Sequence, residues 1–379
     1  MEMAPIPADL TDFKLYFVGI KGTGMAALAE LLQGRGARVE GSDTHERFYT
    51  DAVLTRLGIP FREGFDPSNV PDDAQLVIHS AAYDPGSHPE LIEAERKGLP
   101  LLEYTAALGE LSNTAYSVGV AGVHGKTTTT AMIGNVCKEE GLPVYVLVGS
   151  AVSNFGSRST FVGGDRCFVA ETCEYRRHFL SFKPNVIVVT NVDADHLDYY
   201  KDREDVLGAF VEYGRLLPEG GSLVYCADDE GAVEVARRLT RERSDISLVP
   251  YGFDAKGVYR IHGYRRESGL HRFLLGPGRE SSAPPRASLE LEVKIPGTHS
   301  VLSAAAAVAA TDLIKTHLGT AVSAEDSVGV HRALASFSGS KRRSEVLGEA
   351  GGVIFADDYG HHPREIRGTI EGFRDFYRE

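Results

Sequence analysis

Cysteine is scarce in this chain: Cys137, Cys167, Cys173 and Cys226 are the only four among 379 residues, and no two are spaced C-x-x-C. That excludes a paired-thiolate zinc site and the disulfide framework of a small secreted domain, and it reads as reduced thiols in a cytoplasmic protein. Positive charge is in deficit as well, with 40 Lys and Arg against 53 Asp and Glu and a formal net charge of −13. Such a balance opposes non-specific binding to nucleic acid or to an anionic membrane, so a phosphate-bearing partner has to be held by a local site. Residues 1–12 lack both a basic start and an apolar core, and no run approaches the ~18 apolar residues of a membrane span. Neither secretion nor membrane insertion is expected.

What the chain does have is length and two similar signals. A prior of roughly 100 to 200 residues per domain points to two or three domains. A hydrophobic share of 42% with 25% charged residues suits a soluble globular protein that buries several cores. Twice an apolar strand runs into a glycine loop and then into an apolar helical pattern. The first is KLYFVGI (14–20) followed by KGTGMAALAELLQGRG, with a second strand, ARVEGSD, ending at Asp43. This is the opening βαβ of a doubly wound sheet, in which a glycine loop meets phosphate at a helix N-terminus. Gly19, Gly22 and Gly24 are spaced G-x-x-G-x-G, which departs from the G-x-G-x-x-G dinucleotide fingerprint and weakens a nicotinamide reading. Lys21 adds a charge to the loop, where a pyrophosphate would lie. AQLVIHSAA reads as a further strand ending near Ser80, and LPLLEY as a short one.

The second signal is YSVGVAG, VHGKTTTT and a helix ending at Gly141. A break at 111–114 separates the two. Three apolar strands follow, RCFVAETCE, PNVIVVTNVDADHLDYY and GGSLVYCADD, each ending in acids, amides or His, where a parallel sheet binds ligands. Residues 256–286 read as an irregular or hairpin insertion, and LELEVKIPGTHSVLSAAAAVAATDLIKTHLG as a strand, a turn and an Ala-rich helix. The expected class is α/β: a Rossmann-like N-terminal domain (1–112), a P-loop central ATPase domain with a mostly parallel sheet (113–320), and a partial α/β C-terminal domain (321–379).

The motif Gly122-Val123-His124-Gly125-Lys126-Thr127-Thr128 carries the most chemistry. Its glycines let backbone N–H groups close on phosphate oxygens, Lys126 supplies a point charge, and the Thr127 hydroxyl can ligate Mg²⁺. Val120 stands where a strict Walker A loop has glycine. Glu171, after the run CFVA, and His196, in NVDADHLD, are candidate metal ligands, with a solvated strand end and a helix cap as the structural alternatives. Asp193, Asp195 and Glu174 are as consistent with turn chemistry as with a site.

In order, the chain reads G-V-H-G-K-T-T-T-T, E-x-x-E, N-x-D-x-D-H-L-D, P-G-x-H, R-R-x-E and D-D-Y-G-H-H-P-x-E-I. This series resembles the Mur ligases of peptidoglycan synthesis, nearest their alanine-adding branch, over residues 16–370. The resemblance implies an ATP- and Mg²⁺-dependent enzyme that joins L-alanine to UDP-N-acetylmuramate through an acyl phosphate. Lys126 would touch the γ-phosphate, and Thr127 and Glu171 would hold Mg²⁺. His196 would serve a second metal. His299, Arg343 and Asp358 would complete the ATP site under a closing C-terminal domain, with Asp358 on the ribose. Gly19, Gly22, Gly24, Ser42, Asp43 and Ser80 would hold the UDP-sugar. His361 and His362 receive no role. The family's P-G-x-H-N-x-x-N becomes P-G-T-H-S-V-L-S here, with Ser300 and Ser303 for the two asparagines that contact adenine. Family members also continue past the position of Glu379 with a segment that holds the incoming amino acid, so the residues for L-alanine are expected to be largely missing here, either because the sequence is cut short or because the chain has lost or changed its last function. The alternatives are a relative that adds a tripeptide, a non-catalytic nucleotide or UDP-sugar binder, and an NAD-dependent oxidoreductase. Oligomeric state is left open.

Overall fold

The computed structural model describes residues 5–267, 269–277, 288–320, 326–360 and 363–377. The chain divides into two compact units, Met1–Ala115 and Tyr116–Glu379, and residues 321–379 fall within the second. His361 and His362 lie outside the described residues.

In the first unit, β1 (Lys14–Val18), α1 (Thr23–Gly34), β2 (Arg38–Asp43), α2 (Tyr49–Leu57), β3 (Phe61–Glu63), β4 (Leu76–His79), α3 (Pro89–Arg96), β5 (Leu101–Glu103) and α4 (Tyr104–Asn113) alternate along the chain. The five strands form one parallel sheet in the order β3-β2-β1-β4-β5. Tyr16, Phe17 and Val18 of β1 and Leu76, Val77 and Ile78 of β4 are fully buried, as central parallel strands covered on both faces must be. The break read at 111–114 is the last turn of α4 and the residue after it.

The second unit opens with β6 (Tyr116–Ala121), α5 (Lys126–Glu139), β7 (Val144–Val152), β8 (Arg158–Val162), β9 (Cys167–Glu171), β10 (Val186–Val189), α6 (Arg203–Gly214), β11 (Ser222–Cys226), α7 (Glu230–Glu242) and β12 (Ser247–Tyr251). These strands form a seven-stranded sheet in the order β12-β11-β10-β6-β9-β7-β8, parallel except for β8 at one edge. The loop after β6 therefore lies between the strand ends of β10 and β9, and a ligand there can reach two neighbours at once. The β-branched VIVV of β10 is buried throughout, each valine or isoleucine contributing about 1.5–3 kcal/mol.

Residues 256–286 hold the expected hairpin: β13 (Ile261–Glu267) and β14 (Leu270–Leu275) are antiparallel, and β15 (Leu289–Val293) extends them to three strands. Then come α8 (Thr298–Leu318), α9 (Asp326–Ala335), a two-stranded ribbon of β16 (Glu345–Ala350) and β17 (Val353–Asp357), and α10 (Pro363–Phe376). By length and composition α8, whose apolar pattern is carried by alanine, is apolar enough to cross a membrane. Of its most apolar window 72% is buried inside the unit. Ala304 to Ala310 bring it close to α5, as small side chains let two helices approach.

Candidate functional site

The turn between β6 and α5 has a shape that its glycines permit. Gly122 sits at φ +141°, and a Cβ there would lie 2.0 Å from Thr190 Oγ1, so a side chain has neither the conformation nor the space. Gly125 caps α5 in the left-handed region. His124 between them is fixed from β10: its N–H donates to Asn191 Oδ1 at 2.9 Å, and its carbonyl accepts from Asn191 Nδ2 at 2.9 Å and Thr190 Oγ1 at 2.6 Å. The first turn of α5 thus presents backbone donors and the positive end of a helix to one point, as an anion site requires.

On the β9 side of this turn stand the carboxylates. Glu171 Oε2 accepts from Thr127 Oγ1 at 3.0 Å and from the Gly149 N–H at 3.0 Å. Lys126 does not point at Glu171. Its ammonium lies 2.9 and 3.1 Å from the two oxygens of Glu174, and it folds back onto the Gly122 and Val123 carbonyls at 2.5 and 3.2 Å. His196, itself in the left-handed region at φ +53°, brings Nε2 to 3.5 Å from Glu174 Oε1 and packs its ring on Tyr175. Burial alone would raise the Glu174 carboxyl, yet Lys126 and His196 outweigh it and hold the group below the carboxylate range. Burial would lower Lys126, and Glu174 together with neighbouring charge holds it above the usual lysine value. The hydrogen bond to Glu174 raises His196 against the opposing effect of burial.

On the β10 to β12 side lies a cavity of about 270 Å³. His124, Gly125, Thr127 and Thr128 line it, and so do His299, Arg343 and Asp358, so residues more than 200 positions apart meet in one space. Burial holds His299 below the ordinary imidazole range, against the pull of Asp358. The two arginines of R-R-x-E differ. Both guanidinium groups lie over the Tyr359 ring, but Arg343 lines the cavity, whereas Arg342 lies 3.6 Å from Asp357. Asp358 also staples its own turn, accepting from the Ser344 N–H at 2.7 Å and the Gly360 N–H at 2.8 Å. Asp228 and Tyr251, at the ends of β11 and β12, line the same cavity.

The pair of hard oxygen donors on Thr127 and Glu171 fits Mg²⁺, which takes one or two protein ligands and completes its shell with phosphate and water. Among the described residues no three His, Cys, Asp or Glu side chains gather to hold a metal by themselves.

Comparison with known proteins decides the family. Residues 120–311 match the Mur ligase middle domain, and residues 14–116 match the domain described as Mur ligase family, catalytic domain. The UDP-N-acetylmuramate–L-alanine ligase of Treponema pallidum (strain Nichols) is 48% identical over 384 residues, covering 100% of this chain and 77% of that protein. The chain belongs to the Mur ligase family. The enzyme of the same name from Borreliella burgdorferi is 38% identical, covering 98% of this chain and 77% of its own. Among solved structures, the UDP-N-acetylmuramate–alanine ligase of Thermotoga maritima matches with a TM-score of 0.74 at 27% identity, over 97% of this chain and 78% of that one. A murein peptide ligase from Psychrobacter arcticus, at 22% identity and TM-score 0.71, shares the fold over 96% of this chain and 76% of that one. As a Mur ligase the chain is an ATP-dependent ligase.

In the first unit, this Mur ligase builds its glycine loop against aromatic rings. A Cβ at Gly19 would meet the Tyr83 ring at 2.6 Å and one at Gly24 the Tyr104 ring at 2.9 Å, while Gly22 precedes the first turn of α1. Asp43 accepts from the Lys21 N–H at 2.6 Å and the Thr44 N–H at 2.7 Å, locking the loop to the end of β2. Ser80 closes the end of β4, where its Oγ accepts from the Ala82 N–H at 3.3 Å. Two expectations need correction. Ser42 is fully buried and its hydroxyl donates to Glu90, so it serves the interior, alongside Tyr16 and Asn69 on the same carboxylate. The Lys21 ammonium does not extend to the phosphate side. It is buried 2.8 Å from Glu63 and 3.5 Å from Asp51 and donates to the Thr44 and Glu46 carbonyls, because a buried cation is stable only where anions surround it.

Ser300 is also misplaced by analogy. It is buried, with its hydroxyl on the Ile295 and Gly297 carbonyls at 2.8 and 2.7 Å, and only Ser303 of the pair lines the cavity. Glu174 and Asn191 are the site residues that the motif reading undervalued. Their signals were the second acid of E-x-x-E and the leading amide of N-x-D-x-D.

Proposed function

We propose that this chain joins the amine of L-alanine to the carboxylate of UDP-N-acetylmuramate using ATP, in the synthesis of peptidoglycan precursors in the cytoplasm. The observation that carries the reading is the meeting of the loop Gly122–Thr128 with Glu171 on one side and, on the other, with a cavity that also receives His299, Arg343 and Asp358. In this reading the nucleoside lies over the ends of β10 to β12 and the triphosphate runs to the α5 N-terminus. Asp358 takes the ribose and Arg343 the phosphates. Thr127 and Glu171 hold Mg²⁺, with His196 at a second metal position, and bound Mg²⁺ supplies neutralisation of phosphate charge. The first unit holds the UDP-sugar by Gly19, Gly22 and Gly24, with the diphosphate on the first N–H groups of α1 and with Asp43 and Ser80 at the strand ends.

The reaction has two displacements. A carboxylate oxygen of the muramoyl group attacks the γ-phosphorus and the bond to ADP breaks, giving an acyl phosphate. The alanine nitrogen then attacks the acyl carbon, phosphate leaves, and the nitrogen loses its proton. Lys126 is the cation placed to balance charge as it moves off the γ-phosphoryl group, an effect that a water-poor site strengthens. Release of inorganic phosphate from ATP, with UDP-N-acetylmuramate and either L-alanine or the tripeptide L-Ala-γ-D-Glu-diaminopimelate, tests this directly. Turnover that needs L-alanine is the expected result. Turnover with tripeptide alone would assign the tripeptide-adding activity, and none with either would leave a binding protein.

A further inference from the structure

Lys126 has three protons to donate and meets four acceptors: the carbonyls of Gly122 and Val123 and both oxygens of Glu174. A lysine so satisfied cannot also reach a phosphate unless it gives up at least one partner. Glu174 is built to be that partner. Its side chain is only 2% exposed, and its backbone carbonyl accepts from the Tyr200 hydroxyl. It keeps a second contact, His196 Nε2, when the first is released. Glu171, three residues earlier, is engaged elsewhere by Thr127 and the Gly149 N–H. The two acids of E-x-x-E therefore divide the work, one on the hydroxyl side of the turn and one on the lysine.

We propose that Glu174 is the positioning residue for Lys126, retaining the ammonium in the nucleotide-free chain and surrendering it to the terminal phosphate of a triphosphate. The inference rests on the reading of the loop as an ATP site. Its consequence is discrimination. The terminal phosphate of a triphosphate extends one phosphoryl group further than that of a diphosphate, so ATP reaches the ammonium and exchanges with the carboxylate whereas ADP stops short, and ATP alone does work against the Lys126–Glu174 pair on binding. The pair also reclaims the lysine once the phosphoryl group has left.

Glu174→Gln keeps the shape of the side chain and removes its charge. Titration calorimetry with ATP and with ADP, in Mg²⁺ and without the other substrates, reads the competition. The variant is expected to bind ATP roughly five-fold or more tightly than the parent, a typical coupling between two linked interactions, with ADP affinity nearly unchanged. In the ligase assay KM for ATP falls, and kcat falls with it because the lysine is no longer returned to one place. A purely structural role would weaken ATP and ADP alike and raise KM, and that outcome overturns the proposal. Glu174→Asp, which keeps the charge and shortens its reach, should show the same sense at smaller size. The effect must also pass through the lysine: in Lys126→Met, adding Glu174→Gln should bring no selective gain for ATP, and a gain that persists there overturns the proposal. Failure of the parent chain to bind ATP would instead remove the nucleotide reading itself.

Discussion

Thr127 Oγ1 donates to Glu171 Oε2 across 3.0 Å, from the first turn of α5 to the end of the neighbouring strand β9. In the proposed reading these two oxygens hold Mg²⁺ together. Thr127→Val and Glu171→Gln are each expected to raise the Mg²⁺ concentration for half-maximal phosphate release at least ten-fold and to lower kcat by about 10²–10³. Binding of Mn²⁺ in the presence of ATP, followed by electron paramagnetic resonance, should weaken in both variants. Unchanged Mn²⁺ binding would remove these two residues from the metal site.

Lys126→Ala should abolish ATP turnover and leave UDP-N-acetylmuramate binding intact, since the glycine loop proposed for the sugar nucleotide belongs to the other compact unit. The same change leaves the buried Glu174 carboxylate without its lysine and with only the 3.5 Å contact to His196 on that side, so a stability loss of about 3 kcal/mol is expected, as for breaking other buried pairs. Turnover at the parental rate would show that the loop does not handle the γ-phosphate.

Local chemistry was legible in the sequence, and long-range choice was not. The strand, glycine turn and helix around Gly122 could be read because each step is a short-range preference: a β-branched run, a left-handed glycine, then helix formers. The meeting of Glu171 with Thr127 followed from the rule that ligands gather at the ends of parallel strands. Which acid of E-x-x-E would face Lys126 did not follow, because it depends on the tight turn at Tyr175–Ser181, where Arg176 and Arg177 take left-handed conformations. Lys21 shows the same limit. Its loop looked like a phosphate cradle, but Asp51 and Glu63, brought in by α2 and β3, claim its charge.

His271 on β14 is a buried imidazole beside Tyr264, whose Oη lies 3.0 Å from Nδ1, and beside the Phe376 ring of α10. Burial, with a smaller contribution from neighbouring His299 and Arg266, pushes its pKa down from 6.5 to about 4. A group whose folded pKa is depressed adds stability above its unfolded pKa, and that stability is lost as pH falls through the folded value. Its contribution, about 3 kcal/mol from the size of the shift, should therefore be present above pH ~6.5 and gone near pH ~4. His271→Leu should flatten the dependence of Tm on pH in that window, and an equally steep profile in the variant would show that His271 is not the cause.

Ser300 and Ser303 replace two amides of the family motif, and their placement separates their consequences. Ser300 is fully buried and its hydroxyl ties the α8 N-terminus to the Ile295 and Gly297 carbonyls, so Ser300→Ala should cost about 1 kcal/mol of stability and leave KM for ATP unchanged. Ser303 lines the cavity beside His299, so Ser303→Asn places an amide with both donor and acceptor where a base would lie, and KM for ATP should change several-fold while stability changes little. Steady-state kinetics at varied ATP, set beside thermal melts of the two variants, measure both effects at once. If Ser300→Ala moved KM and Ser303→Asn did not, the base would have to lie on the far side of the first turn of α8, away from the cavity that Arg343 and Asp358 share.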